Sequence, residues 1–185
     1  MATIKTPRLL LRHWEDADIE PWVAMNLDPR VTEFFAWSFS PEIAVERAEQ
    51  RRRELDQAGH GWWVVEAPGV TSFAGIVTLN EVAMEAHFTP AWEIGWRFAP
   101  QFWHRGYATE SARGVIDFAF NTLGLKEVVA LTAVTNVRSQ RVMQRLGMTC
   151  DRADDFDHPK VDKGHPLERH VLYRISAPVT EEVRS

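Results

Sequence analysis

The stretch Trp103-His104-Arg105-Gly106-Tyr107-Ala108-Thr109-Glu110 joins a strand-like run, residues 93–98, to a helical pattern that begins near Ala108. Gly106 lacks the Cβ that would block a close approach to the backbone. Main-chain N–H groups in such a loop, together with the positive end of the following helix, suit the binding of phosphate. Arg105 and His104 add charge or hydrogen-bond donors. Taken alone, these residues fit an ordinary strand-to-helix turn equally well.

Composition restricts the classes of protein to consider. The chain has 185 residues and a formal net charge of −5, with 45% hydrophobic residues. The length fits one domain, 1–185, with a core of about 6–176 and a polar tail at 177–185. The negative charge argues against a general nucleic-acid binder. No stretch has the roughly 20 apolar residues that a membrane span needs, and the first residues lack a signal-peptide pattern. We therefore expect a cytoplasmic protein.

Periodicity outward from the loop predicts seven strands and four helices. The helix at 41–58 begins after Ser40 and presents a mostly charged face that includes Arg47 and Arg51, so that face is expected to be exposed. Cys150, the single cysteine, is expected to be a buried small hydrophobe. The order of elements indicates an α/β (α+β) architecture with a mostly antiparallel sheet.

Three blocks of sequence in this order resemble the Gcn5-related N-acetyltransferase (GNAT) superfamily. They are 6–12, which is similar to the opening of its RimJ/RimL-like branch that acetylates ribosomal-protein N-termini, then 93–110, and then 136–148. The resemblance implies a central sheet of about seven strands flanked by about four helices, with splayed central strands. It also implies acetyl-CoA as co-substrate and a primary amine as acceptor, on a protein N-terminus or a small molecule.

The resemblance also implies which residues bind acetyl-CoA. The loop would receive the pyrophosphate through main-chain N–H groups, and the end of the strand would bind the pantetheine arm as an added strand does. Gly95, before the splay, fits a bulge or simple packing. Trp103 stands where loops of the family often begin with Gln or Arg. The implied cofactor-binding residues are Trp96, Arg97, Phe98, Trp103, His104, Arg105, Gly106, Tyr107, Ala108, Thr109, Asn136 and Ser139.

The general acid departs from the common family pattern. Many members place a tyrosine seven positions after the helix-capping asparagine, and this chain has Met143 there. The RimL-like branch implies a serine instead, and Ser139 matches it. Ser139 either donates a proton to the leaving thiolate or only bonds the first turn of its helix, three residues after Asn136.

Three segments offer a general base, because an amine near pH 7 is mostly protonated and must lose a proton before attack. Glu93 on the central strand is either that base or a surface carboxylate. Asp157 and His158 lie in an acidic segment that either attracts an amine or is only solvated. Glu33 is a further candidate, next to aromatic residues that would cover the acceptor: Phe34, Phe35 and Trp37.

No metal site is expected, because His158, His165 and His170 match no common ligand spacing and the chemistry needs no metal. An ATP site is disfavoured, since no Gly-Lys-Ser/Thr follows the loop glycine. The prediction is an acetyl-CoA-dependent N-acetyltransferase, monomer or homodimer, acting by direct attack in a ternary complex. The alternative, favoured by Met143, is a catalytically weak acyl-CoA-binding sensor or interaction module on the same fold.

Overall fold

A computed structural model describes residues 3–178 of the chain; residues 179–185 of the predicted polar tail lie outside the described residues. Within that range there are nine strands. They are β1 (Ile4–Lys5), β2 (Leu10–Arg12), β3 (Trp62–Ala67), β4 (Thr71–Glu81), β5 (Trp92–Phe98), β6 (Glu127–Ala133), β7 (Thr149–Cys150), β8 (Phe156–Asp157) and β9 (Arg169–Ser176).

The same range contains five α-helices and three short 3-10 helices. The α-helices are α1 (Ile19–Leu27), α2 (Pro29–Thr32), α3 (Pro41–Ala58), α4 (Tyr107–Asn121) and α5 (Val137–Leu146), and the 3-10 helices are Asp16–Asp18, Pro100–Phe102 and Arg152–Asp154. The elements beyond the predicted seven strands and four helices are β1, β8 and α2, which have two, two and four residues. Elements this short are hard to recognise from a hydrophobic period.

All strands form one sheet in the order β1-β2-β3-β4-β5-β6-β9-β7, with β8 paired to β9. Every pairing is antiparallel except that of β5 with β6. The predicted mixed, mostly antiparallel sheet flanked by helices is therefore confirmed. The side chain of Trp62 lies towards α1 and α3, within 4.3 Å of the Arg51 guanidinium, and its neighbour Trp63 contacts Phe118 of α4 on the other face. The sheet thus has helices on both faces.

The pairing of β5 with β6 is confined to one register pair, Glu93 with Val129. By contrast, β5 pairs with β4 along its whole length, from Trp92 opposite Glu81 to Phe98 opposite Gly75. The two central strands therefore diverge after Glu93, and the end of β5 faces a gap where β6 would otherwise lie. The splay implied by the resemblance is present in the fold.

The N-terminal segment is tied to the first turn of α4 by Glu110. Its carboxylate accepts hydrogen bonds from the Thr6 hydroxyl at 2.7 Å, the Arg8 main-chain N–H at 2.8 Å and the Arg8 Nε at 2.7 Å. The side chain of Glu110 is 15% exposed and that of Arg8 is 53% exposed, so the carboxylate is mostly buried while its arginine partner stays in contact with water. This tie holds residues 6–8 against the loop that precedes α4.

We expect Glu110→Gln to lower the free energy of unfolding by about 1 kcal/mol, because hydrogen bonds to a charged carboxylate are stronger than those to a neutral amide, but water around the exposed Arg8 weakens them. Burial acts to raise the pKa of Glu110, but the bonds from Thr6 and Arg8 lower it overall. Its stabilisation is therefore present above the ordinary glutamate pKa and lost as pH falls through the lowered one. Urea unfolding at pH 7 measures the change. Glu49→Gln, at an exposed pair with Arg53, is the control, and equal midpoints for both variants would contradict the assignment.

Candidate active site

The loop before α4 has an unusual backbone conformation. Gly106 is the N-cap of α4 with φ of 80°, and His104 has φ of 60°, a value that residues other than glycine seldom adopt. His104, Arg105 and Gly106 are exposed. Backbone strain of this kind is concentrated at functional sites. The helix begins at Tyr107, one residue before the predicted start at Ala108.

Main-chain amides of this loop have no protein partner within the described part of the chain. Trp103 N donates to Pro100 O at 3.2 Å and Glu110 N to Gly106 O at 3.0 Å, whereas the N–H groups of residues 104–109 bond no acceptor in residues 3–178. Six successive donors at the positive end of a 15-residue helix suit a polyanion. The loop therefore fits a diphosphate group.

The backbone of β5 alternates between β4 and the gap. Ala99 N donates to Ala74 O at 3.1 Å, and this fixes which residues of the antiparallel ladder face β4. Trp96 and Phe98 turn their main-chain groups into the gap, where an extended arm would bond them. Arg97 turns its main-chain groups to β4, because alternate residues point in opposite directions. Arg97 was expected to bond the arm together with Trp96 and Phe98, but its main-chain groups are paired with β4, which leaves only its side chain to contact a ligand.

Trp103 ties the loop to the end of β5. Its indole Nε1 donates to Phe98 O at 2.7 Å, and the Arg138 guanidinium lies 4.6 Å from its ring centroid. The departure from Gln or Arg at this position therefore brings an additional anchor between loop and strand. Because the Phe98 carbonyl accepts this bond, three main-chain groups of β5 remain to bind a ligand in the gap: the N–H of Phe98 and the N–H and carbonyl of Trp96.

The N-terminus of α5 holds Ser139 in a defined network. Asn136 caps the helix through Oδ1, which accepts from Ser139 N at 3.2 Å. The Asn136 amide donates to Thr132 Oγ1 at 2.9 Å and to Ser139 Oγ at 3.2 Å. Because the Ser139 oxygen accepts from Asn136, its own proton is available for another acceptor. Met143 is 2% exposed and packs in the core.

Glu93 lies at the point where β5 and β6 diverge. It is half-buried and has no hydrogen-bond partner among the described residues. Burial raises the pKa of Glu93 to about 7. A carboxyl group with this pKa gains and loses a proton near neutral pH, as a general base must.

The sequence profile of the family described as "Acetyltransferase (GNAT) domain" matches residues 8–149. The chain belongs to the GNAT acetyltransferase family. The predicted family is confirmed, and the match to this family supports the prediction of an acyltransferase enzyme.

Among its relatives, this GNAT acetyltransferase is similar to the FsC-acetyl coenzyme A-N(2)-transacetylase of Aspergillus fumigatus, with 32% identity over 80% of the chain. The alignment spans 65% of the fungal protein's length. A GNAT-family acetyltransferase from Bacillus anthracis has a similar fold, with a TM-score of 0.78 and 24% identity over 95% of this chain and 98% of that one.

The ribosomal L7/L12 α-N-protein acetyltransferase RimL, solved in complex with coenzyme A, also shares the fold. Its TM-score is 0.75 at 16% identity, covering 95% of this chain and 98% of RimL. The likeness to a protein of the RimL branch therefore extends over nearly the whole domain, at the level of the fold.

Aromatic side chains of this GNAT acetyltransferase gather around Arg97. Its guanidinium lies 4.2 Å from the ring centroid of Phe35, 5.4 Å from that of Phe39 and 5.5 Å from that of Trp22, and it donates to Asn26 Oδ1. Phe35 in turn stacks on Trp37 at 5.5 Å. Of the residues predicted to cover the acceptor, Phe35 thus lies over the side chain of Arg97 and Trp37 stacks on Phe35, and Phe39 completes the aromatic segment 35–39.

Glu33 and Phe34 point to α5 rather than to Arg97. Glu33 forms an ion pair with Arg138, and the Arg138 guanidinium lies 5.4 Å from the ring centroid of Phe34. Glu33 is therefore already paired, which weakens its candidacy as a base. Arg138 of α5 therefore contacts both the segment that contains Glu33 and Phe34 and the loop residue Trp103.

Asp157 and His158 are on and just after β8, which pairs only with β9. Asp157 pairs with Arg169 at 3.1 Å, and the His158 ring lies 4.7 Å from that of His170. Burial, with the charges of His170 and Lys160, lowers the pKa of His158. The structure brings neither residue into contact with Glu93, so these two candidates are separated from the other predicted catalytic groups.

Residues 3–178 contain neither a helix long and apolar enough to cross a membrane nor a group of three His, Cys, Asp or Glu side chains placed to ligate a metal. Cys150 is exposed, so the prediction that it is buried was wrong. It lies in the two-residue strand β7, which is exposed at both positions.

The sequence did not predict several residues of the aromatic cluster next to Arg97. Arg47 and Arg51 were predicted to face solvent, but their guanidinium groups lie over Phe39 at 5.7 Å and over Trp62 at 4.3 Å. Asn26 is 1% exposed, and its amide donates to Trp22 O at 2.8 Å. The four-residue spacing of Trp22 and Asn26, and of Arg47 and Arg51, was the available signal for shared helix faces.

Proposed function

We propose that this protein is an acetyl-CoA-dependent N-acetyltransferase that moves an acetyl group to a primary amine by direct attack in a ternary complex. The observation that carries the proposal is the row of unpaired amides at residues 104–109, next to the open edge of β5. The row suits the diphosphate, and the edge suits the extended arm that follows it.

In this proposal the end of β5 positions the thioester. The main-chain groups of Trp96 bond the pantetheine arm as a neighbouring strand would. The N–H of Phe98 also faces the gap and is available to stabilise the oxygen on which negative charge develops. Holding the thioester next to the acceptor amine lowers the entropic part of the activation barrier for acetyl transfer.

Glu93 is the proposed general base. A primary amine near pH 7 is mostly protonated, so a nearby carboxylate must accept a proton before or during attack. Its pKa of about 7 supports this role. Glu93 lies on the same face of β5 as Arg97, because alternate side chains of a strand share a face. That face carries the aromatic segment 35–39.

Ser139 is the proposed general acid toward the departing thiolate. The Asn136 amide donates to its oxygen at 3.2 Å, which directs the Ser139 proton away from Asn136. The acceptor amine belongs either to a small molecule or to a protein N-terminus, the latter as the name of RimL suggests. The name of the fungal relative, an N(2)-transacetylase, supports transfer to nitrogen.

Release of free thiol from acetyl-CoA, measured with a panel of amines, tests the proposal. Amine-dependent release with formation of the N-acetyl product is the expected result. Tight CoA binding without release across the whole panel would contradict the proposal and support the acyl-CoA-binding sensor.

Ser139→Ala is expected to lower kcat at least about tenfold while changing the KM for acetyl-CoA little, because proton transfer by a positioned group contributes mainly to the chemical step. Steady-state kinetics measures both constants. Ser139→Thr keeps the hydroxyl and is the matched control, expected to retain most of the activity. Unchanged kcat in Ser139→Ala would leave Ser139 as a capping residue only.

A further inference from the structure

Within residues 3–178 the guanidinium group of Arg97 has no carboxylate partner. The only acceptor that this group contacts there is Asn26 Oδ1, and its Nε is buried and donates to no described atom. Burying a charged group without pairing it costs considerable free energy. An arginine with only a structural role would be expected to have its donors satisfied.

Two further arginines of α3 surround the same aromatic cluster. Arg47 lies over Phe39, the ring that Arg97 also contacts, and Arg51 lies over Trp62, whose ring centroid is 6.5 Å from that of Trp22. Arg51 is paired with Glu54 at 2.7 Å, whereas Arg47 forms no ion pair in the described range. Burial, and then the charges of Arg47 and Arg51, lowers the pKa of Arg97 to about 9, so Arg97 is still charged at neutral pH.

One face of β5 carries an acidic residue and a basic residue on either side of a glycine. Glu93, Gly95 and Arg97 share that face, and Cα atoms two residues apart in a strand are separated by about 7 Å. A Cβ at position 95 would lie 2.8 Å from Thr78 Oγ1, so the Thr78 hydroxyl occupies the space directly over Gly95 and excludes a side chain there. The register opposite Thr78 is regular, which favours packing over a bulge as the reason for Gly95.

We propose that the acceptor is an amine that also carries an anionic group, a carboxylate or a phosphate, and that Arg97 with Arg47 binds this group. The inference rests on the proposed function and names the class of its acceptor. An oxyanion at Arg97 would pair the donors left free there, since guanidinium groups bind carboxylate and phosphate through paired hydrogen bonds. The amine of the same molecule would then extend along this face of β5, past the Thr78 hydroxyl, toward Glu93.

Thiol release from acetyl-CoA, with amines matched in size, tests this proposal. The panel contains an α-amino acid, its neutral amide, an aminoalkyl phosphate, a peptide with an acidic second residue and a diamine. We expect anionic amines to exceed the neutral amide in kcat/KM by at least about tenfold, since bonds to a charged group contribute this much. Comparison of the α-amino acid, the aminoalkyl phosphate and the acidic peptide shows whether the preferred anionic group is a free carboxylate, a phosphate or a peptide side chain.

Arg97→Met should reduce kcat/KM for the preferred anionic amine by about 100-fold, mainly through KM, and leave the neutral amide nearly unchanged. If Arg97→Met does not fold, Arg47→Gln at a half-buried position replaces it in the test. It should also lower kcat/KM for the anionic amine more than for the neutral amide. Arg53→Gln on the exposed side of α3 is the control and should change neither constant.

The outcomes separate this inference from the proposed function. Thiol release that favours the neutral amide or the diamine, or equal losses for charged and neutral amines in Arg97→Met, would overturn the inference and leave the enzyme in place. No release with any amine, although acetyl-CoA binds, would overturn the proposed function and this inference with it.

Discussion

Replacing Gly106 by valine is expected to weaken acetyl-CoA binding at least about 100-fold while the protein stays folded. Gly106 has φ of 80°, which a β-branched residue does not tolerate, and a Cβ there would lie 3.3 Å from Arg8 Nη2. The substitution would therefore change the backbone that aims the amides of residues 104–109. Titration calorimetry with CoA measures the affinity, and circular dichroism reports the fold.

Gly124→Val is the matched control for Gly106→Val. Gly124 follows α4 at its other end and has φ of 69°, and a Cβ added there would meet no atom within 4 Å. Both substitutions strain the backbone, but only the one at residue 106 lies at the loop. Similar CoA affinity in the two variants would contradict the assignment of the loop.

Glu93→Gln is expected to lower kcat/KM by about 100- to 10,000-fold, the range that a positioned general base contributes. In the native protein kcat/KM should rise with pH through about 7, as Glu93 loses its proton. The midpoint of this rise in kcat/KM should stay near pH 7 for acceptors whose amines differ in pKa. The rise should be absent in Glu93→Gln. A profile that follows only the pKa of the acceptor amine would remove Glu93 from the mechanism.

The stability of Glu93→Gln should change in the opposite direction to its activity. The pKa of Glu93 is higher in the folded protein than in the unfolded chain, so the folded state is favoured while Glu93 is protonated. This contribution to stability is fully present below the unfolded pKa and is lost as pH rises through about 7. At pH 8 the neutral variant should therefore be more stable than the native protein, by on the order of 2 kcal/mol. Glu81→Gln, at an exposed position on β4, is the control for both activity and stability.

Local sequence signals were sufficient for the loop and for the helix ends. Ser40 caps α3 by accepting from Ile43 N at 3.3 Å, and Asn136 caps α5, as the sequence predicts. These features depend on residues within one helical turn of each other. The divergence of β5 from β6 was predicted only through the resemblance, because the pairing of two strands depends on residues distant in sequence.

The acceptor side was harder to predict for the same reason. The direction of the Arg97 side chain follows from the register of β5 on β4, and its neighbours Asn26 and Phe35 are 71 and 62 residues away in sequence. The charges on α3 look solvated in isolation, since Arg47 and Arg51 alternate with acidic residues. Only the tertiary structure shows that these arginine side chains pack against aromatic rings, Arg47 against Phe39 and Arg51 against Trp62.

A crystal structure of the protein with bound CoA tests the central claim most directly. We expect diphosphate oxygens within hydrogen-bond distance of the N–H groups of residues 104–109, with the pantetheine arm along Trp96 and the sulfur beside Ser139. Coenzyme bound elsewhere, or those amides turned away from the phosphates, would contradict it.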